Sequence, residues 1–221
     1  MAKHKLLRFA ETAQFPNFIQ VPYKQALTGC YLKGLWNKDF FKNEQPLWLE
    51  LGCGKGEYTV GLAQKYPERN NLGIDIKGAR MWRGAKTALE NNISNVGFLR
   101  TEISLIESFF AKDEVSGIWI TFPDPYLKNA KSDKRLTSQH FLSKYSNVLK
   151  PGAEIHLKTD NRPLYEYTLD VIKENGHSLL FETNDLYSLD IHDEASSIQT
   201  FYEQMWLAQG LKINYIRFTL K

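Results

Sequence analysis

Glu50, Gly52, Gly54 and Gly56 alternate through LELGCGKGE, where a short apolar run gives way to a polar, helix-forming one. Glycines at such a junction permit a tight turn and let bare backbone approach a ligand closely. Further acids close the apolar runs that follow: Asp75 in NLGIDI, Glu102 after VGFLRT, and Asp124 in ITFPDPYLK. Pro123 and Pro125 carry no amide hydrogen, so a strand must stop near Phe122, and a residue before proline is biased to extended backbone. Asp124 is thus a carboxylate whose direction is set before any substrate arrives. The plainer alternative is a surface turn in which this aspartate only bonds neighbouring amides.

The elements that must position these residues alternate in βα fashion. Strands are expected at Leu47–Leu51, Asn71–Ile76, Val96–Thr101, Gly117–Phe122 and Ala153–Lys158, each too short for a helix and mostly β-branched or aromatic. Helices fill the gaps at Glu57–Tyr66, Ala79–Asn91, near Leu105–Phe110, through SQHFLSKYSNVL with Thr137 or Ser138 as cap, and at Leu164–Glu174. Lys150-Pro151-Gly152 should stop the fourth of these. Beyond Gly176 the alternation breaks into a strand at Ser178–Glu182, a helix near Ile198–Gln209 and a last strand, Asn214–Leu220, able to pair antiparallel. The order predicts an α/β, Rossmann-like doubly wound sheet of seven strands, mostly parallel with an antiparallel C-terminal strand. Ligands of such sheets bind at the carboxyl ends of the strands near the switch point. The expected division is a basic, aromatic arm and lead-in over residues 1–46 and the main folded domain over residues 47–221.

Composition bounds the rest. The net charge of +3 is positional: residues 1–46 hold seven basic residues, among them Lys3, Lys5 and Arg8, against Glu11, Asp39 and Glu44. Two cysteines, Cys30 and Cys53, build no disulfide framework, and neither they nor the five histidines sit at metal-ligand spacing, so no metal is assigned. With no apolar run near the roughly 18 residues that span a bilayer and no secretory leader pattern, the expectation is a cytoplasmic protein.

A dinucleotide fingerprint would want its third glycine at position 57, where this chain has Glu57, a carboxylate aimed at the pyrophosphate site. The Glu50-x-Gly52-x-Gly54-x-Gly56 pattern instead resembles the first motif of the Rossmann-like S-adenosylmethionine-dependent methyltransferases. That resemblance makes Glu50 a counter-charge for the cationic ligand, Asp75 an acceptor for ribose hydroxyls, and Glu102 a reader of adenine. An Asp-Pro-Pro-Tyr amine-methylating motif would occupy the place of Asp124, but here the second proline precedes the aspartate.

Phe122-Pro123-Asp124-Pro125-Tyr126 with Lys128 and Lys134-Arg135-Leu136 resembles the signature of the bacterial tRNA (guanine-N7-)-methyltransferase family. Arg8-Phe9, Pro16-Asn17-Phe18, Thr159-Asp160-Asn161 and Thr200-x-Tyr202-Glu203-x-x-Trp206-x-x-x-Gly210 agree with it, so the likeness spans nearly the whole chain. The chain departs from the family in Tyr126 for tryptophan, Leu127 for proline, and a basic cluster diluted by Asn129, Ala130, Ser132 and Asp133. The resemblance implies methyl transfer to N7 of guanine 46 in the tRNA variable loop. Asp124 would be catalytic and touch the cofactor alongside Glu50, Gly52, Gly54, Gly56, Asp75 and Glu102, while Lys128, Asp160, Thr200, Phe201, Tyr202 and Glu203 would bind substrate.

Guanine N7 has an in-plane lone pair and no proton, so Asp124 need not act as a base; it can accept from guanine N1 and amino donors and offset charge on the purine. Lys128, Lys131, Lys134 and Arg135, together with the amino-terminal cations, are candidates for phosphate contact. Thr200 and Glu203 equally match a capping box. Phe15, Phe18 and Tyr23 either stack on bases or pack on the domain. The rival functions are a small-molecule methyltransferase or aminopropyltransferase of this fold, and a tRNA-binding protein without catalysis.

Overall fold

The computed structural model describes residues 2–189 and 194–221, without the side chains of residues 2–4 and 129; the Lys3 side chain therefore lies outside the described residues. Among them run helix α1 (Ala2–Thr12), strand β1 (Phe18–Gln20), α2 (Tyr23–Thr28), a π-helical turn Trp36–Phe41, β2 (Leu47–Leu51), α3 (Glu57–Lys65), β3 (Asn70–Asp75), α4 (Gly78–Glu90) and β4 (Val96–Arg100). There follow α5 (Ile106–Phe109), β5 (Val115–Thr121), a 3-10 helix Asn129–Lys134, α6 (Gln139–Ser146), β6 (Leu149–Thr159), α7 (Arg162–Glu174) and β7 (Ser178–Thr183). The chain ends in α8 (Glu194–Ser197), α9 (Phe201–Ala208) and β8 (Asn214–Thr219). No helix among the described residues is long and apolar enough to cross a membrane.

The sheet runs β1-β4-β3-β2-β5-β6-β8-β7, parallel from β1 to β6, with β8 antiparallel to both β6 and β7. The seven expected strands are all present. An eighth, β1, pairs Phe18–Gln20 beside β4; three residues are too few to show a period, so no local pattern marks it. The chain turns one way from β2 to β3 and β4 and the other way from β5 to β6, which puts the switch point between β2 and β5.

Leu47, Leu49, Leu51, Ile118 and Ile120 face a core covered by α2, α5, α6 and α7. On the opposite face Tyr58, Trp119 and Tyr215 form one apolar cluster, and Met81, Ala85 and Phe98 another. Period-two alternation therefore sends Trp48 and Glu50 of β2, and Trp119 and Thr121 of β5, to the face under α3. The lead-in is bound to this frame. Trp36 is fully buried, donates through Nε1 to the Phe109 carbonyl at 2.8 Å and stacks on Phe110, while Glu114 accepts from the Gly34 and Trp36 amides. Phe18 packs into the core, and Tyr23 stays 59% exposed. On α1, Arg8 lies over the Trp82 ring and Glu11 accepts from Trp82 Nε1.

Two local expectations need correction. Pro151 and Gly152 do not end a helix, which has already stopped at Ser146; they lie inside β6, where the β5 pairing slips between Val115 and Gly117 and leaves room for a residue without an amide. The last helix begins at Phe201, because Thr200 caps it, with the separate turn α8 before it.

Helices α3 and α4 meet at glycine. A Cβ on Gly84 would lie 2.6 Å from the Lys55 carbonyl and 2.8 Å from the Phe98 ring. Gly84→Ala should therefore lower the melting temperature by several degrees, an overpacking cost of about 1–3 kcal/mol. An open helical site would instead gain about 1 kcal/mol from alanine, so a raised melting temperature would contradict this close packing.

Candidate functional site

A cavity of about 700 Å³ opens at the carboxyl ends of β2, β3, β4 and β5. Its wall brings together Glu50, Gly52, Gly54, Asp75, Glu102, Asp124, Thr200 and Tyr202 from five separate stretches of sequence. Gly56, Lys128, Asp160, Phe201 and Glu203 are not on that wall.

Glu50 is 3% exposed and points under α3. Thr59, in the first turn of α3, donates to Glu50 Oε2, and Thr121, last in β5, donates to Oε1 at 2.6 Å. Burial pushes the carboxyl up to about 7; the two threonine hydroxyls pull the other way and hold it in place. Asp75, ending β3, accepts from the Gly54 amide at 2.9 Å and from the Lys77 amide at 2.8 Å. It thereby ties the glycine turn to the next strand. Gly52 and Gly54 take left-handed backbone, φ 80° and 57°, beside the cavity. Gly56 does different work: a Cβ there would meet the Phe98 ring at 2.4 Å, so this glycine lets α3 approach β4 and α4.

Phe122 and Tyr126 bracket Pro123-Asp124-Pro125 with left-handed backbone, φ 49° and 42°, uncommon for residues with side chains. At one end the Phe122 amide donates to the Lys158 carbonyl at 2.8 Å and its ring packs on Trp206. At the other, Arg135 Nε and Nη2 donate to the Pro125 and Tyr126 carbonyls, each at 3.1 Å. Asp124 is exposed on this segment. Arg135 is 7% exposed with its guanidinium over the Tyr167 ring, so it is not the free phosphate contact expected of it, whereas Lys128, Lys131 and Lys134 are exposed.

Glu203 is also corrected, from a substrate contact to an internal strut. It is fully buried, 2.7 Å from Lys158 Nζ, and accepts from the Tyr187 hydroxyl at 2.7 Å. Its second oxygen completes the capping box with Thr200, whose hydroxyl accepts from the Glu203 amide. The box is what turns Thr200 and Tyr202 toward the cavity. Lys158 also donates to the Ala195 and Ile198 carbonyls. Phe201 and Tyr202 lie near the mouth with Lys55 Nζ over both rings, and the Phe201 amide donates to Glu57. Asp160 is exposed where β6 ends, while Asn161 caps α7. Sequence reasoning missed Thr59, Lys158, Thr121, Lys77, Arg80 and His140, the last four on the cavity wall. A signal existed for Thr121, a hydroxyl at a strand end beside Pro-Asp-Pro; Lys158 in IHLKT gave none, since its alternation suits either face.

Residues 44–216 match a family model described as "Putative methyltransferase". A tRNA (guanine-N(7)-)-methyltransferase of Christiangramia forsetii is 52% identical over all of this chain and 99% of its own, and one of Bacteroides fragilis is 49% identical over all of this chain and 87% of its own. The chain belongs to the tRNA (guanine-N(7)-)-methyltransferase family. Among solved structures, the 16S rRNA methyltransferase KamB superposes with a TM-score of 0.61 at 17% identity, covering 80% of this chain and 88% of that one. A SAM-dependent methyltransferase of Aquifex aeolicus does so at 0.55 and 12%, covering 92% and 100%. These two share the fold.

The cavity suits the cationic cosubstrate of a methyltransferase. A largely buried carboxylate on the cavity wall is relieved by a positive ligand, and the two glycines leave free the space that Cβ atoms would take.

Binding of S-adenosylmethionine should therefore weaken about tenfold between pH 8 and pH 6, as Glu50 takes up a proton near 7. Calorimetric titration checks this; a flat profile contradicts it. Stability runs the other way. The folded protein binds this proton more tightly than the unfolded chain, so stability is lost as pH rises from the ordinary carboxylate range through about 7. Glu50→Gln should raise the melting temperature at pH 8, leave it near wild type at pH 5, and weaken S-adenosylmethionine at least about tenfold. Glu203→Ala, which leaves the Lys158 ammonium buried without this carboxylate, should cost about 3–5 kcal/mol in denaturant unfolding.

Proposed function

We propose that this chain transfers the methyl group of S-adenosylmethionine to N7 of guanine 46 in the variable loop of tRNA. The observation that carries the proposal is the 52% identity over the whole chain to a relative named for tRNA guanine-N7 methylation, joined to a cavity in which Asp124 shares a wall with Glu50. Tyr126 in place of tryptophan and Leu127 in place of proline leave both flanking clamps of the Asp124 segment intact.

Bound S-adenosylmethionine supplies an electrophilic methyl group, and guanine N7 brings the lone pair that accepts it. Glu50 holds the cationic end, with Thr59 and Thr121 keeping its carboxylate turned inward. Asp75 takes the ribose hydroxyls, and Glu102, beyond the end of β4, takes the adenine. Gly52 and Gly54 leave room for the ligand, while Gly56 acts through packing. Asp124 needs to remove no proton. Its negative charge beside the purine favours the positive charge that develops as N7 is alkylated, and its fixed direction keeps the base aligned for in-line attack. Thr200 and Tyr202 border the base, Phe201 offers a ring for stacking, and Asp160 can accept from guanine donors. Lys128, Lys131 and Lys134, all exposed, contact phosphate. Glu203 serves this site by holding Thr200 and Tyr202. The paired use of buried, unbridged cysteines and an RNA substrate supports a cytoplasmic protein.

Incubation with labelled S-adenosylmethionine and unmodified tRNA, followed by mapping of 7-methylguanine, should find the label at position 46; no transfer to tRNA would refute the proposal. Asp124→Asn should lower kcat by about 10²–10³-fold with tRNA affinity retained. Equal loss of both would make Asp124 a binding group only.

A further inference from the structure

We propose that Arg135 is a positioning residue for Asp124, a clamp that sets the active-site loop rather than one of the cations that touch RNA; this rests on the methyl-transfer function above. Two observations separate it from its basic neighbours. Lys128, Lys131 and Lys134 are exposed, whereas Arg135 is buried, and its Nε and Nη2 donate within the protein. Nε and Nη2 grip consecutive carbonyls, those of Pro125 and Tyr126, as a fork. A planar guanidinium presents these two donors from separate nitrogens in a fixed fork, whereas an ammonium donates from a single rotating atom.

The anchor behind the fork is α7. The guanidinium carbon lies 4.1 Å from the centre of the Tyr167 ring, and two residues past Arg135 and one past Tyr167 the Thr137 and Thr168 hydroxyls meet at 2.7 Å in the interior. The Arg135 carbonyl accepts from the Ser138 amide, fixing the start of α6. A continuous support thus runs from α7 through Arg135 to the peptide groups that follow Asp124. That support is needed because Tyr126 holds φ at 42° and Phe122 at 49°, conformations that persist only where surroundings over-determine them. Prolines 123 and 125 offer no amides with which the loop could secure itself. Without the fork, the loop relaxes at Tyr126 and the carboxylate loses its direction.

The test uses full-length Arg135→Lys with unmodified tRNA and S-adenosylmethionine. Expected are a fall in kcat of about 100-fold, the scale of an ångström's misplacement, with tRNA affinity, its salt dependence and S-adenosylhomocysteine affinity unchanged. Amide exchange at Phe122 and Lys131, the hydrogen-bonded amides that flank the loop, should accelerate. A wild-type kcat, or unchanged exchange at these amides, overturns the proposal. So does weakened tRNA binding with a salt slope shallower by about one, the mark of a lost phosphate contact. If the wild type transfers no methyl to tRNA yet exchange still accelerates in the variant, the clamp stands and the functional assignment falls. Should Arg135→Lys not fold, Tyr167→Leu keeps the arginine and removes its stacking surface; a several-fold lower kcat supports the clamp, and an unchanged kcat refutes it.

Discussion

The site depends on one buried carboxylate. Glu50 sits at the switch point of the sheet, largely buried under α3, with both its oxygens held by threonine hydroxyls from different elements. Leaving an acid there uncompensated opposes folding when it is charged. A positively charged ligand placed against it would offset that cost. The parity of β2, the first turn of α3 and the end of β5 must all agree for the two hydroxyls to meet the same side chain, and the glycine turn must leave the space beside them open.

The cations divide into two populations with opposite surroundings. Lys158 and Arg135 are buried and face inward, the first onto Glu203 and the carbonyls of Ala195 and Ile198, the second onto the carbonyls of Pro125 and Tyr126. Each fixes one wall of the cavity: Lys158 the capped start of α9, Arg135 the Asp124 loop. The backbone of Lys158 also receives the Phe122 amide, so one residue of β6 supports both walls. Exposed Lys128, Lys131 and Lys134 remain for the long-range attraction of a polyanion. A modest net charge is compatible with RNA recognition when cations are sorted this way, because solvent-exposed ones alone contribute to phosphate binding.

Much of the fold was legible in the sequence because its signals are local. The central strands, buried on both faces, read as continuous apolar runs; glycines and prolines marked where they end; Ser138, Asn161 and Thr200 marked helix starts. What went unread had no local signal. Strand β1 owes its existence to the free edge of β4, and the slip that admits Pro151 and Gly152 into β6 depends on its neighbour β5.

By itself the sequence determined the order of the cavity's acids along the chain: which of them end strands, where the glycine turn lies, and that Asp124 sits between two prolines past a strand end. These follow from backbone constraints carried by single residues and their immediate neighbours. Only the tertiary structure decided which charges face the ligand and which hold the protein together. Arg135 and Glu203 resemble substrate contacts when read in order, yet burial and partners remote in sequence make them supports. The physical reason is that a charge's role is set by its solvent access and by what lies opposite it, and neither is a property of position along the chain.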